Sequence, residues 1–357
     1  MARFKVGLVR FVQPSRRVGL LCVVVLLWGC ANPAPSAKGT RSADEASSVS
    51  PSTNPSATAQ VVAQNRSPGL DGSANTIAFS GRLDSPDNGD IYTVGVDGRN
   101  VRRLTSSPAN EYSQSWSPDG QQIVFRSAPS GEASEQGPSD IAVVTVADLK
   151  VTFLTHHAQL GNWSPAWSPT GEWIAYSSGG PNGDGLYLIR PDGSDARRIV
   201  EGDAEYPAWS PDGRRLAFMS LGFPAGSSSD AYEIYVVGVD GGHLQRLTNL
   251  TGEDGWPAWS RDGTRIAYTR RTTERAEDKI HVMTAAGQDD HAVTDIKDGM
   301  SYGYPNWSPN DLFLAFSAYP QTESSTAVGG IFVMRPDGSG RLMVLADGVG
   351  PVWQPLP

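Results

Sequence analysis

One phrase recurs along the chain and dictates what it can fold into. It reads Ser115-Trp116-Ser-Pro-Asp-Gly120, Ala166-Trp167-Ser-Pro-Thr-Gly171, Ala208-Trp209-Ser-Pro-Asp-Gly213, Ala258-Trp259-Ser-Arg-Asp-Gly263 and Asn306-Trp307-Ser-Pro-Asn310. A shortened copy, Pro351-Val-Trp353-Gln-Pro355, stands near the C-terminus. The tryptophans are 51, 42, 50, 48 and 46 residues apart. A drifting period near 45 is what the blades of a propeller give when their loops differ in length.

The grammar between tryptophans is constant. A strand follows each phrase: Ile123-Val-Phe125, Ile174-Ala-Tyr176, Leu216-Ala-Phe218, Ile266-Ala-Tyr268, Leu314-Ala-Phe316. After a variable loop comes a second apolar strand, such as Asp90-Ile-Tyr-Thr-Val94 or Glu233-Ile-Tyr-Val-Val237. A turn at Asp97-Gly98, Asp192-Gly193, Asp240-Gly241 or Asp337-Gly338 then leads to an edge strand ending in Arg103-Leu-Thr105, Phe153-Leu-Thr155 or Arg246-Leu-Thr248. Asp-Gly between apolar runs is a strong hairpin signal, because tight turns need the positive φ that Gly tolerates. Two such hairpins make a four-stranded blade. The first unit, from Ile77, lacks a tryptophan phrase, whereas Trp353 has no strands after it. Joining the two ends predicts six four-stranded blades, an all-β propeller closed by pairing the C-terminal strand with the first blade.

The propeller is expected over residues 74–357. Residues 1–29 read as a signal peptide of lipoprotein type: a basic stretch, then an apolar run from Val18 to Gly29 too short to span a bilayer. The run ends at Cys30, the expected lipidation site. Residues 30–73, built from Ala, Ser, Thr, Pro and Asn, read as a disordered tether. The only other cysteine, Cys22, lies inside the signal, which leaves the exported part without a disulfide. The formal charge is −9, and removing the signal takes five basic residues and no acid with it. That balance argues against nucleic acid and anionic lipid as partners and leaves a lipid anchor as the only expected membrane contact.

The series Pro-x-Trp-Ser-Pro-Asp-Gly, Ile-Ala-Phe-x-Ser, Asp-Ile-Tyr-Val-Met, Asp-Gly-Ser and Arg-Leu-Thr resembles the TolB-type propeller repeat across roughly residues 74–357. The resemblance implies a six-bladed fold and a binding or scaffolding role in the cell envelope. TolB proteins carry an α/β domain before the propeller; here the tether stands in that place. Prolyl oligopeptidases carry similar repeats, but this chain has no Gly-x-Ser-x-Gly elbow.

Repeated residues are framework, so departures from the repeat are the better guide to function. Tyr112, Trp163, Tyr206, Trp256 and Tyr304 lie three or four residues before the framework tryptophan, with Gly350 in the sixth blade. Acids accompany them, including Glu111, Glu205, Asp254, Asp295 and Asp298. Together they predict a ring of aromatic faces and carboxylates at the channel mouth, on the face carrying the long middle loops Arg126–Asp140, Ser220–Tyr232, Arg270–Lys279 and Ala318–Gly330. Such a ring suits a peptide or sugar, a basic segment or Ca²⁺. Of the histidines, His281 fills a strand slot that is aromatic in other blades, and His156-His157 would point to opposite sides of a strand. No metal site can be assigned and no cofactor is implied, Ca²⁺ being the one ion the acids would suit.

The expectation is an exported, non-catalytic, monomeric binding module that recognises a cell-envelope protein or glycan at the loop face. The alternative is a propeller enzyme, a lyase or hydrolase acting on oligosaccharide or peptide. Related propellers of that kind use clustered histidines and a metal, whereas these histidines fall at unrelated offsets.

Overall fold

The Ser-Pro-Asp-Gly turn is where local chemistry first becomes blade structure. In the computed structural model Ser117 Oγ donates to Asp119 Oδ1 (2.6 Å) and accepts from the Gln122 amide (2.9 Å). Ser210 repeats this with Asp212 and Arg215, and Ser260 with Asp262 and Arg265. Gly120, Gly213 and Gly263 supply the positive φ that closes each turn (66°, 69° and 72°). The hydroxyl fastens the end of one strand to the start of the next, so the hairpin is specified by residues adjacent in the chain.

The structure describes residues 76–84, 88–129, 137–156, 161–179, 184–223, 231–249, 252–272, 277–294, 299–321 and 328–356. The signal segment, the tether, Cys30, His157, Asp295 and Asp298 lie outside them. The described residues form six four-stranded antiparallel sheets. Among them no helix is long and apolar enough to cross a membrane. The innermost strands are Gly348–Trp353 of blade 1, Asn110–Trp116 of blade 2, Asn162–Trp167 of blade 3, Glu205–Trp209 of blade 4, Glu253–Trp259 of blade 5 and Met300–Trp307 of blade 6. Each packs against the innermost strand of the next blade, and Gly348–Trp353 packs against Asn110–Trp116, so the ring is closed.

Closure comes about as the sequence predicts. Gly348–Trp353 pairs antiparallel with Thr76–Gly81, placing Trp353 opposite Ile77 and Gly348 opposite Gly81. The strand is also tied to both neighbouring blades. The Trp353 amide donates to Asn306 Oδ1 of blade 6 (3.0 Å), and Trp116 Nε1 of blade 2 donates to the Val352 carbonyl (3.2 Å).

Apolar packing is divided among six clusters, each spanning one seam between blades and each holding one framework tryptophan. At seam 5–6, for example, Trp307, Phe316 and Leu314 pack on Ala258, Ala267, Ile280 and Val282. Trp116, Trp209 and Trp307 also donate Nε1–H to the carbonyl one residue before the tryptophan of the preceding blade (3.2, 2.9 and 3.1 Å). Each blade therefore contributes half of two cores, which is why a lone repeat cannot bury its apolar face.

The threonine that ends the edge segment, after Leu or, at Thr294, after Val, has a further role that the repeat pattern does not reveal. Thr105, Thr155, Thr248 and Thr294 accept the amide of Ile91, Ile141, Ile234 and Ile280 at 2.9 Å in every case. The edge strand thus leaves the ladder and is pinned to the strand beside it. The expected loop Arg270–Lys279 needs correction. Strands Arg265–Thr272 and Glu277–Thr284 extend to residues 272 and 277, because Arg270 and Arg271 pair in register with Lys279 and Asp278.

Candidate functional site

Every innermost strand carries a bulge at one place. Pairing shifts between the residues four and one before the framework tryptophan, in all six blades. The residue three before the tryptophan has a left-handed backbone throughout: Gly350 (φ 62°), Ser113 (55°), Ser164 (52°), Tyr206 (51°), Trp256 (51°) and Tyr304 (56°). A bulge reverses the side-chain direction for one residue, turning this position toward the propeller axis.

Around the axis the six positions fall into two halves. Blades 1 to 3 present Gly350, Ser113 and Ser164. Blades 4 to 6 present Tyr206, Trp256 and Tyr304, whose rings meet at centroid distances of 5.8 Å (Tyr206–Trp256), 4.7 Å (Trp256–Tyr304) and 6.5 Å (Tyr206–Tyr304). Rings from three successive blades come this close only by converging on the channel. Their planes are inclined by 44° to 70°, which makes an angular corner. Trp256 Nε1 and Ser164 Oγ are enclosed with no hydrogen-bond partner among the described residues.

The five expected aromatics are thus not one ring. Tyr112 and Trp163 stand four residues before their tryptophans, on the other side of the bulge, and that single step sends a side chain to the opposite face. Tyr112 packs on Gly89 of blade 1 with the Arg126 guanidinium 6.0 Å from its ring centre, and burial pushes its phenol pKa upward. Trp163 lies against Gly179 of its own blade.

The acids are also elsewhere than expected. Asp254 is 1% exposed, and its two oxygens accept from Arg270 Nε and Nη2 (2.7 and 2.9 Å). Arg270 Nη1 reaches Asp290 (2.6 Å), which also accepts from Tyr268 (2.8 Å) and lies 3.0 Å from His281 Nδ1. Burial would raise the Asp290 pKa, but hydrogen bonds from His281, Tyr268 and Arg270 outweigh it and hold the carboxyl well below the usual range. Glu205 is buried, with Tyr232 Oη donating to it at 3.4 Å. Neither carboxylate is displayed to the channel mouth. Among the described residues no three His, Cys, Asp or Glu side chains gather in a way that could hold a metal.

PD40, the TolB beta propeller domain, matches residues 162–349, more than half of the chain. The chain belongs to the TolB-type β-propeller family. A TolB homolog of Chlorobium luteolum is 34% identical over 136 residues, covering 38% of this chain and 29% of that protein. An uncharacterized protein of Agrobacterium fabrum is 27% identical over 177 residues, covering 46% and 55%. The chain therefore spans well under two thirds of the curated relatives it matches. Two solved structures share the TolB-type fold. TolB from Acinetobacter baumannii superposes with a TM-score of 0.63 at 20% identity, covering 79% of this chain and 67% of that one. A putative TolB from Agrobacterium tumefaciens gives 0.60 at 21% identity, covering 77% and 90%.

Within this TolB-type frame one signal separates the two aromatic sets. Pro207, Pro257 and Pro305 directly follow the axial residues Tyr206, Trp256 and Tyr304, whereas Tyr112 and Trp163 are each followed by serine. Counting from the proline gives the offset that counting aromatics missed.

Proposed function

We propose that this protein is an exported, non-catalytic binding module that recognises a cell-envelope protein or glycan with the aromatic corner Tyr206, Trp256 and Tyr304. One observation carries the reading. Three bulky residues hold a left-handed backbone immediately before proline, at positions where the other blades place serine or glycine. The left-handed bulge is common to all six blades, and Ser164 and Gly350 also precede proline; what these three positions add is a ring, and the three rings converge. Framework alone gives no reason for it, since Ser113, Ser164 and Gly350 make the same bulge with small side chains. Tyr206, Trp256 and Tyr304 all stay partly exposed, so their rings present the kind of apolar surface that recognition sites use. Binding of Glu205 by Tyr232 and of Asp254 by Arg270 favours recognition over acid–base chemistry. Export rests on residues 1–29 and on the likeness to TolB.

The test is capture from envelope extract and from purified wall glycan by the exported chain, beside a Tyr206→Ser, Trp256→Ser, Tyr304→Ser variant. Loss of the captured species in a folded variant is the expected result. Undiminished capture by the variant contradicts the assignment.

A further inference from the structure

Three seams of the propeller are built alike, which allows their buried charges to be compared. In each, the residue five before the framework tryptophan donates its amide to the carbonyl preceding the third strand of the blade before it. These bonds are Glu111 to Gly89 (2.8 Å), Asn162 to Ser139 (3.2 Å) and Asp254 to Tyr232 (2.8 Å). Each brings the side chain at that position beside the acid that opens the third strand: Asp90, Asp140 or Glu233.

At seam 4–5 each of the two seam acids has an arginine, although Arg270 is shared with Asp290. Glu233 accepts from Arg246 and from Thr248, and Asp254 is gripped at both oxygens by Arg270. At seam 2–3 the equivalent of Glu111 is the neutral Asn162, which bonds to the Ser139 carbonyl, and Thr155 donates to Asp140 (2.7 Å). Seam 1–2 has two acids and one base. Arg103 Nη2 reaches Asp90 Oδ2 (2.7 Å), and Ser107 donates to Glu111 Oε1 (2.7 Å). Asp90 Oδ1 and Glu111 Oε2 are enclosed with no hydrogen-bond partner among the described residues, in residues 0% and 2% exposed. Taken as ionised, the seam would bury one uncompensated negative charge, and a protein interior relieves such a charge by neutralising the group.

We infer that the seam between blades 1 and 2 binds one proton, carried on the Glu111 carboxyl, to a pH well above the point at which an exposed glutamate loses it. The proton comes from solvent and forms an O–H bond on Glu111, which removes the buried charge that Asp90 opposes and turns an acceptor into a donor. The groups that act on Glu111 are Asp90, Arg103, Thr105 and Ser107; Asp84 acts on Asp90. Burial is the largest influence and raises the Glu111 pKa from 4.5; the Thr105 and Ser107 hydroxyls oppose it. A single proton satisfies the count, whereas a divalent ion beside Arg103 would overshoot it.

The sign follows by linkage. A carboxyl with a raised folded pKa lends its stability fully below the unfolded pKa and loses it as pH rises through the folded one. Infrared titration of the full exported chain reads the proton directly. The expected result is a carboxylic-acid carbonyl band that persists above the ordinary carboxylate range, vanishes in Glu111→Gln and bleaches earlier in Asp90→Asn, where Arg103 is freed. Glu111→Gln should also lose the decline in melting temperature above the ordinary carboxylate range. Absence of the late band overturns the inference. So does a wild-type melting temperature that rises with added Ca²⁺ and not with acid, since the occupant would then be a metal.

Discussion

The two halves of the axial ring share one backbone and differ in what they hang on it. Gly350, Ser113 and Ser164 make the bulge with small side chains; Tyr206, Trp256 and Tyr304 make it with the largest. Because the pairing shift is the same in all six blades, the bulge belongs to the frame. The aromatics therefore mark what this chain has added to it. The same logic separates residues that hold the ring from residues that use it, and it sets an order of expected effects.

Opening the ring should remove the frame from both halves at once. Truncation after Asp347 deletes the inner strand of blade 1, its ladder to Thr76–Gly81 and the apolar cluster around Trp353. The expected loss exceeds about 5 kcal/mol, beyond most single substitutions, and is read as cooperative collapse of the thermal transition. A frayed end with an unchanged midpoint would show that closure does not hold the ring together.

Next come the seams. Trp307→Ala empties the cluster at seam 5–6 and removes its bond to Ala258, which should cost about 3–5 kcal/mol in denaturant unfolding. Arg270→Met leaves Asp254 and Asp290 without their shared partner, and breaking a buried pair costs about 3–5 kcal/mol. If Asp254 belongs to the frame, Asp254→Asn should lower stability in the same assay while leaving ligand capture intact. Lost capture at unchanged stability would return it to the recognition surface.

Much of the frame was legible because it is written six times. The tryptophan gaps, the Asp-Gly turns and the two mismatched chain ends were enough for blade count, strand order and closure. The candidate site was legible only in part. Tyr112 and Tyr206 differ by one step from their tryptophans, which reads as loop variation until the bulge gives the two offsets opposite directions. Glu205 and Asp254 looked available because their partners, Tyr232 and Arg270, were assigned to loops, whereas Arg270 lies in strand Arg265–Thr272 and Tyr232 is buried just before Glu233–Gly238. A carboxylate's partner on a neighbouring strand depends on register, which no local pattern in the sequence supplies.

The smallest effect is the most informative. Replacing Tyr206, Trp256 and Tyr304 by glycine gives the second half of the ring the residue that Gly350 places in the first. Glycine accepts positive φ, so relief of left-handed strain, about 1–3 kcal/mol per residue, should offset most of the ring–ring attraction that the change removes, about 0.5–1.5 kcal/mol per pair beyond the buried area. The measurement to make is the thermal unfolding midpoint of this triple variant beside wild type and Trp307→Ala. The account predicts a triple-variant midpoint within about 5 °C of wild type and well above that of Trp307→Ala. A triple variant that unfolds as early as Trp307→Ala would show the aromatic corner to be part of the frame and would contradict the division on which the functional reading stands.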